Sequence, residues 1–319
     1  LNILFFGSSG LSVFFLEKLY TSEHKIAAVI TNIDKETGRG KKILPNPVKI
    51  KAQELGLKHF EINKMDEEIY NKLLDLNFDG LVVVSFGHII PEKLINLSND
   101  TAINVHPSLL PKYRGPSPIV SALINGDEET GVTIMKINKG LDTGNIFTQA
   151  RFKISMRDNR EILENKVIEV GAPLLIDTLN LIEKGLIESF PQTGSPSYTK
   201  VFNKEDFKIN WPKNSYEIRN KIRAFSPEPG AFTFLNSLRI KILNAAEYDC
   251  TNEDLKILLF NDRYQPGAVI CADKINGLII KCGNNGAIRI LDLKIEGKKR
   301  ISFLDFLNGH KLKTGDYFK

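Results

Sequence analysis

Asn2-Ile-Leu-Phe-Phe6, running into Gly7-Ser-Ser-Gly10 and then Leu11 to Tyr20, is the stretch that decides the fold. An apolar run of this length reads as a buried strand, and the apolar residues beyond the glycine turn fall at helical spacing. The pattern recurs: Ile26 to Thr31 and Gly80 to Ser85 read as further buried strands, and Pro47 to Leu55 and Asp66 to Leu76 as helices. This βαβ rhythm predicts an α/β unit, a Rossmann-like open parallel sheet with helices on both faces and right-handed connections. Ligands of such sheets sit beyond the carboxyl ends of the strands, which places Gly7 to Gly10, Phe86-Gly-His88 and Asn104-Val-His106 around one site. The first glycine turn lacks the full G-x-G-x-x-G spacing, and no acidic residue clearly ends the second strand, so nucleotide binding is a weak reading of it.

At 319 residues the chain exceeds the usual size of one core, so two domains are expected. Hydrophobic residues at 42% and charged residues at 25% are ordinary for a soluble protein, and no apolar run approaches the roughly 20 residues that cross a bilayer. No membrane association is expected. Leu1 to Phe6 has no basic region, so it reads as a strand and not as a signal peptide, which implies a cytoplasmic protein. Cys250, Cys271 and Cys282 form neither a C-x-x-C pair nor an even set, and read as buried small residues without disulfide or metal.

Asp158 to Lys184 reads as a long helix, and Gly185 to Tyr198, with its prolines and glycines, as a surface linker. Asn214 to Ala224 is helical in pattern. Apolar runs follow at 231–235, 238–243, 268–272, 277–282 and 287–293, separated by turns such as Pro229-Gly230 and Asn284-Asn-Gly286. They predict an antiparallel barrel or sandwich, and five strands fit a smaller OB-like β-barrel domain. The expected division is 1–187, a linker 188–203, and 204–319. Residues 1–200 carry 23 basic and 24 acidic side chains, and residues 201–319 carry 20 and 14, so the net charges are −1 and +6. A basic second domain suits contact with a phosphate backbone, although a solvated basic face would look the same.

Asn104 and His106 are two apart, so on a strand they point to one face. With Asp142 in Gly140-Leu-Asp-Thr-Gly144 they make an amide, an imidazole and a carboxylate, a set suited to acyl transfer. The amide holds an oxyanion, the imidazole moves a proton, and the carboxylate raises the imidazole pKa unless burial wins. A hydrogen-bonded turn would use the same residue types. Thr31 to Pro47 is long and polar, and it displays Arg39, Lys41 and Lys42 between glycines, a pattern that attracts phosphate.

The run Asn104-Val-His-Pro-Ser-Leu-Leu-Pro-Lys-Tyr-Arg-Gly-Pro-Ser-Pro118, with Gly131-Val-Thr-Ile-Met135 and Gly140 to Gly144, resembles the folate-dependent formyltransferases. Gly38-Arg-Gly-Lys-Lys42 with Pro45-Asn-Pro-Val-Lys49 looks like the tRNA-facing insertion loop of the methionyl-tRNA formyltransferase family. Asp206-Phe-Lys-Ile-Asn-Trp211 and Ile222-Arg-Ala-Phe225 resemble the motifs that open that family's carboxy-terminal domain. The resemblance implies a formyltransferase domain joined to an OB-like, tRNA-binding one. It also implies formyl transfer from 10-formyltetrahydrofolate to initiator methionyl-tRNA by a monomer that needs no metal. Asn104, His106 and Asp142 become the catalytic set. Folate falls to Phe86, Gly87, His88 and Ile89 and to Ser108, Leu109, Leu110 and Pro111, and tRNA to Arg39, Lys41, Lys42, Lys298, Lys299 and Arg300. Ser8-Ser9 departs from the Thr-Pro pair common at that turn in the family. Two other readings stay open: a formyltransferase acting on a small amine, such as an amino sugar nucleotide or glycinamide ribonucleotide, and a non-catalytic RNA-binding protein.

Overall fold

A computed structural model of the chain describes residues 1–37, 42–98 and 101–319. Contacts divide it into two compact units. Unit 1 holds Leu1–Pro118, Glu129–Lys153 and Glu164–Lys200; unit 2 holds Ile119–Glu128, Ile154–Leu163 and Val201–Lys319.

Unit 1 begins with β1 (Asn2–Gly7), α1 (Gly10–Tyr20) and β2 (Lys25–Asn32), then the antiparallel pair β3 (Lys35–Thr37) and β4 (Lys42–Leu44). The serines of the first turn are used locally. Ser9 Oγ accepts from Ser12 N, and Ser12 Oγ accepts from Ser9 N while donating to Val84 O at 2.6 Å, so α1 opens on a serine capping box. Ser8 Oγ accepts from Asn32 N at 3.0 Å and ties that turn to the end of β2.

Next come α2 (Pro47–Glu54), β5 (His59–Ile62), α3 (Glu67–Leu74), β6 (Gly80–Val84), α4 (Glu92–Asn96) and β7 (Ala102–His106). Asn46 caps α2, and Lys49 bridges Asp34 at 2.9 Å and Glu61 at 3.0 Å, fastening the base of the polar loop. After α5 (Pro118–Asn125), the strands β8 (Glu129–Lys136) and β9 (Ile146–Lys153) complete a seven-stranded sheet in the order β5-β2-β1-β6-β7-β8-β9. The expectation of a wholly parallel sheet needs correction. The first five strands in that order are parallel, but β8 runs antiparallel to β7 and to β9. The connection between β8 and β9 is too short for the crossover that parallel neighbours need, so β9 reverses against β8, whereas β8 reverses against β7 after a longer connection through α5. β6 lies at the centre with β1 beside it, and one face packs Leu4, Phe6, Ile30, Leu81 and Val83 with Leu73 and Leu94 of the covering helices. α6 (Arg160–Glu183) is the long helix, and Gly171 lets it approach Phe15 and Val132, where a Cβ would meet both at 3.0–3.1 Å.

Unit 2 is built on α7 (Ser215–Phe225), β10 (Ala231–Leu235), β11 (Leu238–Glu247), α8 (Glu253–Phe260), β12 (Val269–Asp273), β13 (Gly277–Lys281), β14 (Ala287–Ile295), β15 (Ile301–Ser302) and α9 (Phe303–Gly309). Its antiparallel sheet runs β10-β11-β14-β13-β12, with β15 beside β14. The last residues reach both ends of that order: Lys319 exchanges hydrogen bonds with Phe234 of β10, and Phe318 N donates to Gly267 O just before β12. Arg223 and Tyr216 of α7 tie the two shorter segments into this unit. Arg223 Nη1 donates to Ser155 O at 3.1 Å, Tyr216 Oη donates to Gly126 O at 3.1 Å, and Asn220 Oδ1 accepts from both Arg219 and Arg223. Cys271 and Cys282 are buried free thiols pushed up to about 12, by burial above all, so they are poor nucleophiles. Cys250 is also free and half-buried.

Candidate active site

The end of β7 supplies two of the three polar side chains. Asn104 and His106 sit opposite Met135 and Thr133 of β8, and both turn toward the loop that joins β8 to β9. Asp142 occupies that loop with φ +50°, a left-handed backbone that Asp tolerates better than most residues. Each of its carboxylate oxygens meets one strand residue. Asn104 Nδ2 donates to Oδ1 at 3.4 Å, and His106 Nδ1 lies 3.5 Å from Oδ2. The Gly115 N–H also donates to Oδ2, at 2.7 Å. Gly144 lies against the Lys136 carbonyl, where a Cβ has no room.

His106 is 4% exposed. Its Nε2 lies 2.9 Å from the Tyr113 carbonyl, which only accepts, so the proton sits on Nε2 and the lone pair of the neutral ring on Nδ1. Burial pulls the His106 pKa below its ordinary value, while Asp142 and the Tyr113 carbonyl work the other way. Burial therefore wins, and the ring is neutral at pH 7 with its lone pair facing Asp142. Tyr113 holds φ +62°, an uncommon conformation for a bulky residue, which aims its carbonyl at the imidazole. Sequence reasoning gave no role to this carbonyl.

Ser108 to Pro111 forms a braced segment. Ser108 Oγ donates to Lys112 O at 2.6 Å, Thr133 Oγ1 donates to Ser108 O at 2.6 Å, and Leu110 N donates to Thr133 Oγ1 at 3.2 Å. Gln149 Nε2 donates to both Leu110 O and Thr133 Oγ1. Leu110 is buried with Met135 and Ile146, and Leu109 covers Gly131. Phe86 to Ile89 lies beyond the end of β6. The Phe86 and His88 rings are 5.2 Å apart, Gly87 has φ +85° with open space where a Cβ would project, and Ile89 is 90% exposed. Asn32 Nδ2 donates to Phe86 O at 3.2 Å and joins this segment to β2.

Arg39 and Lys41 lie outside the described residues, and of Lys42 only the backbone, at the start of β4, is described. Lys298, Lys299 and Arg300 are exposed between β14 and β15, and Arg300 Nη2 donates to Asp292 Oδ2 at 2.8 Å. Among the described residues no cluster of His, Cys, Asp or Glu gathers as a metal site, and no helix is long and apolar enough to cross a membrane.

The family model described as formyl transferase matches residues 1–179, and the one described as formyl transferase, C-terminal domain, matches 202–311. The methionyl-tRNA formyltransferase of Dictyoglomus thermophilum is 39% identical, with all of both chains covered. The chain belongs to the methionyl-tRNA formyltransferase family. The same name is carried by a Coxiella burnetii relative, 36% identical across 97% of this chain and 96% of that one. Among solved structures, WlaRD, a sugar 3N-formyl transferase, is similar at TM-score 0.65 and 25% identity, covering 94% of this chain and 99% of its own. Within a formyltransferase, a neutral amide and a buried neutral imidazole that both face one carboxylate, at 3.4 and 3.5 Å, can manage one carbonyl oxygen and one proton. The chemistry of acyl transfer needs both.

Proposed function

We propose that this chain transfers the formyl group of 10-formyltetrahydrofolate to the α-amine of methionine on initiator tRNA, giving N-formylmethionyl-tRNA and tetrahydrofolate. The convergence of Asn104 and His106 on the two oxygens of Asp142 carries the reading, in a chain 39% identical over its full length to a methionyl-tRNA formyltransferase. Bound 10-formyltetrahydrofolate supplies an electrophilic formyl carbon. Asn104 spends one amide N–H on Asp142 and keeps the other for the formyl oxygen as negative charge grows there. His106 Nδ1 takes a proton from the attacking amine and gives it to the departing folate nitrogen. Asp142 and the Tyr113 carbonyl hold the imidazolium in between.

Folate fits the ledge from Phe86 to Ile89, where Gly87 leaves the backbone open to a flat ring, and the braced segment Ser108 to Pro111 faces the linker mainly with backbone. Such positioning makes the reaction nearly unimolecular. The structure of WlaRD was determined in the presence of 5-N-formyl-THF, which supports a folate donor here. Residues 1–187 form the catalytic domain, 188–203 the linker and 204–319 an OB-like tRNA-binding domain. The closure of β10 and β12 by the chain's last residues supports a barrel. Arg39, Lys41, Lys42 and Lys298 to Arg300 meet the tRNA backbone, and the protein acts as a cytoplasmic monomer.

A small-amine acceptor is the competing reading, from the likeness to a sugar N-formyltransferase, but the 36–39% identity to tRNA-modifying relatives favours the larger substrate. Purified protein is offered 10-formyltetrahydrofolate with charged initiator tRNA, uncharged tRNA, free methionine or a dTDP-amino sugar. Formylation of the charged tRNA alone is expected, and preference for the sugar or for free methionine contradicts the proposal.

A further inference from the structure

The polar stretch after α6 carries a side chain whose four hydrogen-bonding positions are all used, two on Arg114 and two on the Asp142 loop. Gln192 Oε1 accepts from Arg114 Nε at 3.1 Å and Nη2 at 2.7 Å, and Gln192 Nε2 donates to Asp142 O at 2.8 Å and Gly144 O at 2.9 Å. Two donors on one side and two carbonyls on the other fix the orientation of the amide. The flanking backbone is fastened as well. Phe190 exchanges both backbone hydrogen bonds with Ile146, Arg114 N donates to Ser197 O, Thr199 N donates to Arg114 O, and Tyr113 N donates to Ser197 Oγ. Arg114 is itself held, because Nη1 donates to Tyr198 Oη at 3.1 Å.

We infer that Gln192 is a positioning residue for Asp142: it clamps the two carbonyls that flank the left-handed turn and so sets the carboxylate's aim at Asn104 and His106. The inference rests on the proposed catalytic part of Asp142. The hydrogen bonds of the Gln192 side chain go to Arg114 and to the backbone carbonyls of Asp142 and Gly144, not to the side chains of Asn104, His106 or Asp142. It acts through the loop, and the same amide links that loop to Arg114, one residue before the Gly115 N–H that holds Asp142 Oδ2. A carboxylate displaced by even an ångström loses much of its effect on rate.

The test is single-turnover formyl transfer by the full chain, comparing wild type with Gln192→Ala, Gln192→Glu, Asp142→Ala and the double variant Asp142→Ala/Gln192→Ala, each checked for a folded melting transition. Gln192→Glu keeps an acceptor for Arg114 and loses both donors. Both single Gln192 variants are expected to fall between about 10- and 100-fold in transfer rate with little change in the folate KM. The double variant should be no slower than Asp142→Ala. The His106 imidazole should titrate at lower pH in Gln192→Ala than in wild type, since the carboxylate that raises it no longer faces it. A wild-type rate for Gln192→Glu, a further loss in the double variant, or an unmoved His106 titration overturns the inference. Wild-type transfer by Asp142→Ala instead overturns the role given to Asp142, and this inference with it.

Discussion

At the scale of single residues, the proposed chemistry turns on a neutral imidazole whose lone pair faces a carboxylate. Unfolded histidine takes its proton near pH 6.5, and burial of His106 lowers the folded value. Below pH 6.5 the unfolded chain therefore binds more protons, so stability present above that pH is lost as pH falls through the folded value. Urea midpoints between pH 7 and pH 5.5 should drop less for His106→Gln than for wild type, and equal drops would contradict the assignment. The transfer rate should also decline over the same acidic range as Nδ1 becomes protonated. Asn104 and His106 were legible in the sequence because a period of two on a strand fixes their common face. The Tyr113 carbonyl and Gln192 were not: a backbone atom has no residue signature, and a glutamine in a Pro/Gly-rich stretch looks like any surface amide. Gly115 lay inside the motif Lys112-Tyr-Arg-Gly115, but nothing in that spelling says that its N–H meets Asp142.

At the scale of elements, the geometry of the loop between β8 and β9 depends on glycine where side chains have no space. Gly144→Ala sets a methyl against the Lys136 carbonyl and should cost more than tenfold in transfer while leaving the folate ledge intact, as read by folate binding. Thr133 is the brace of the segment 108–111, donating to one carbonyl and accepting from Leu110 and Gln149. Thr133→Val leaves those buried groups without a partner and should destabilise the chain by about 1–3 kcal/mol in urea unfolding. The parallel strands were readable from apolar runs bounded by glycine. The antiparallel direction of β8 and β9 was not, because a buried run has the same composition in either direction. α8 was hidden for a related reason: Glu253 to Phe260 is two turns long, and its Asn252 cap and its buried Leu255 and Leu259 are a short signal beside the strands around it.

At the scale of the whole molecule, the two formyl transferase segments, 1–179 and 202–311, fall on either side of the charge split of −1 and +6. Less visible was that residues 119–128 and 154–163 belong with the later unit, since the contacts of α7 that tie them in, Tyr216 to Gly126 and Arg223 to Ser155, have no signature in the sequence. Replacing Arg39, Lys41 and Lys42 together with Ala should weaken tRNA binding and flatten its dependence on salt by roughly 0.7–0.9 for each phosphate no longer neutralised, measured by titration at several salt concentrations. The central claim is that Asn104, His106 and Asp142 perform the transfer, and single-turnover formylation of methionyl-tRNA by Asn104→Ala, His106→Ala and Asp142→Ala tests it most directly. A fall of about 10²-fold or more in each variant, with tRNA affinity retained, is the predicted result. Three variants as fast as wild type would contradict it.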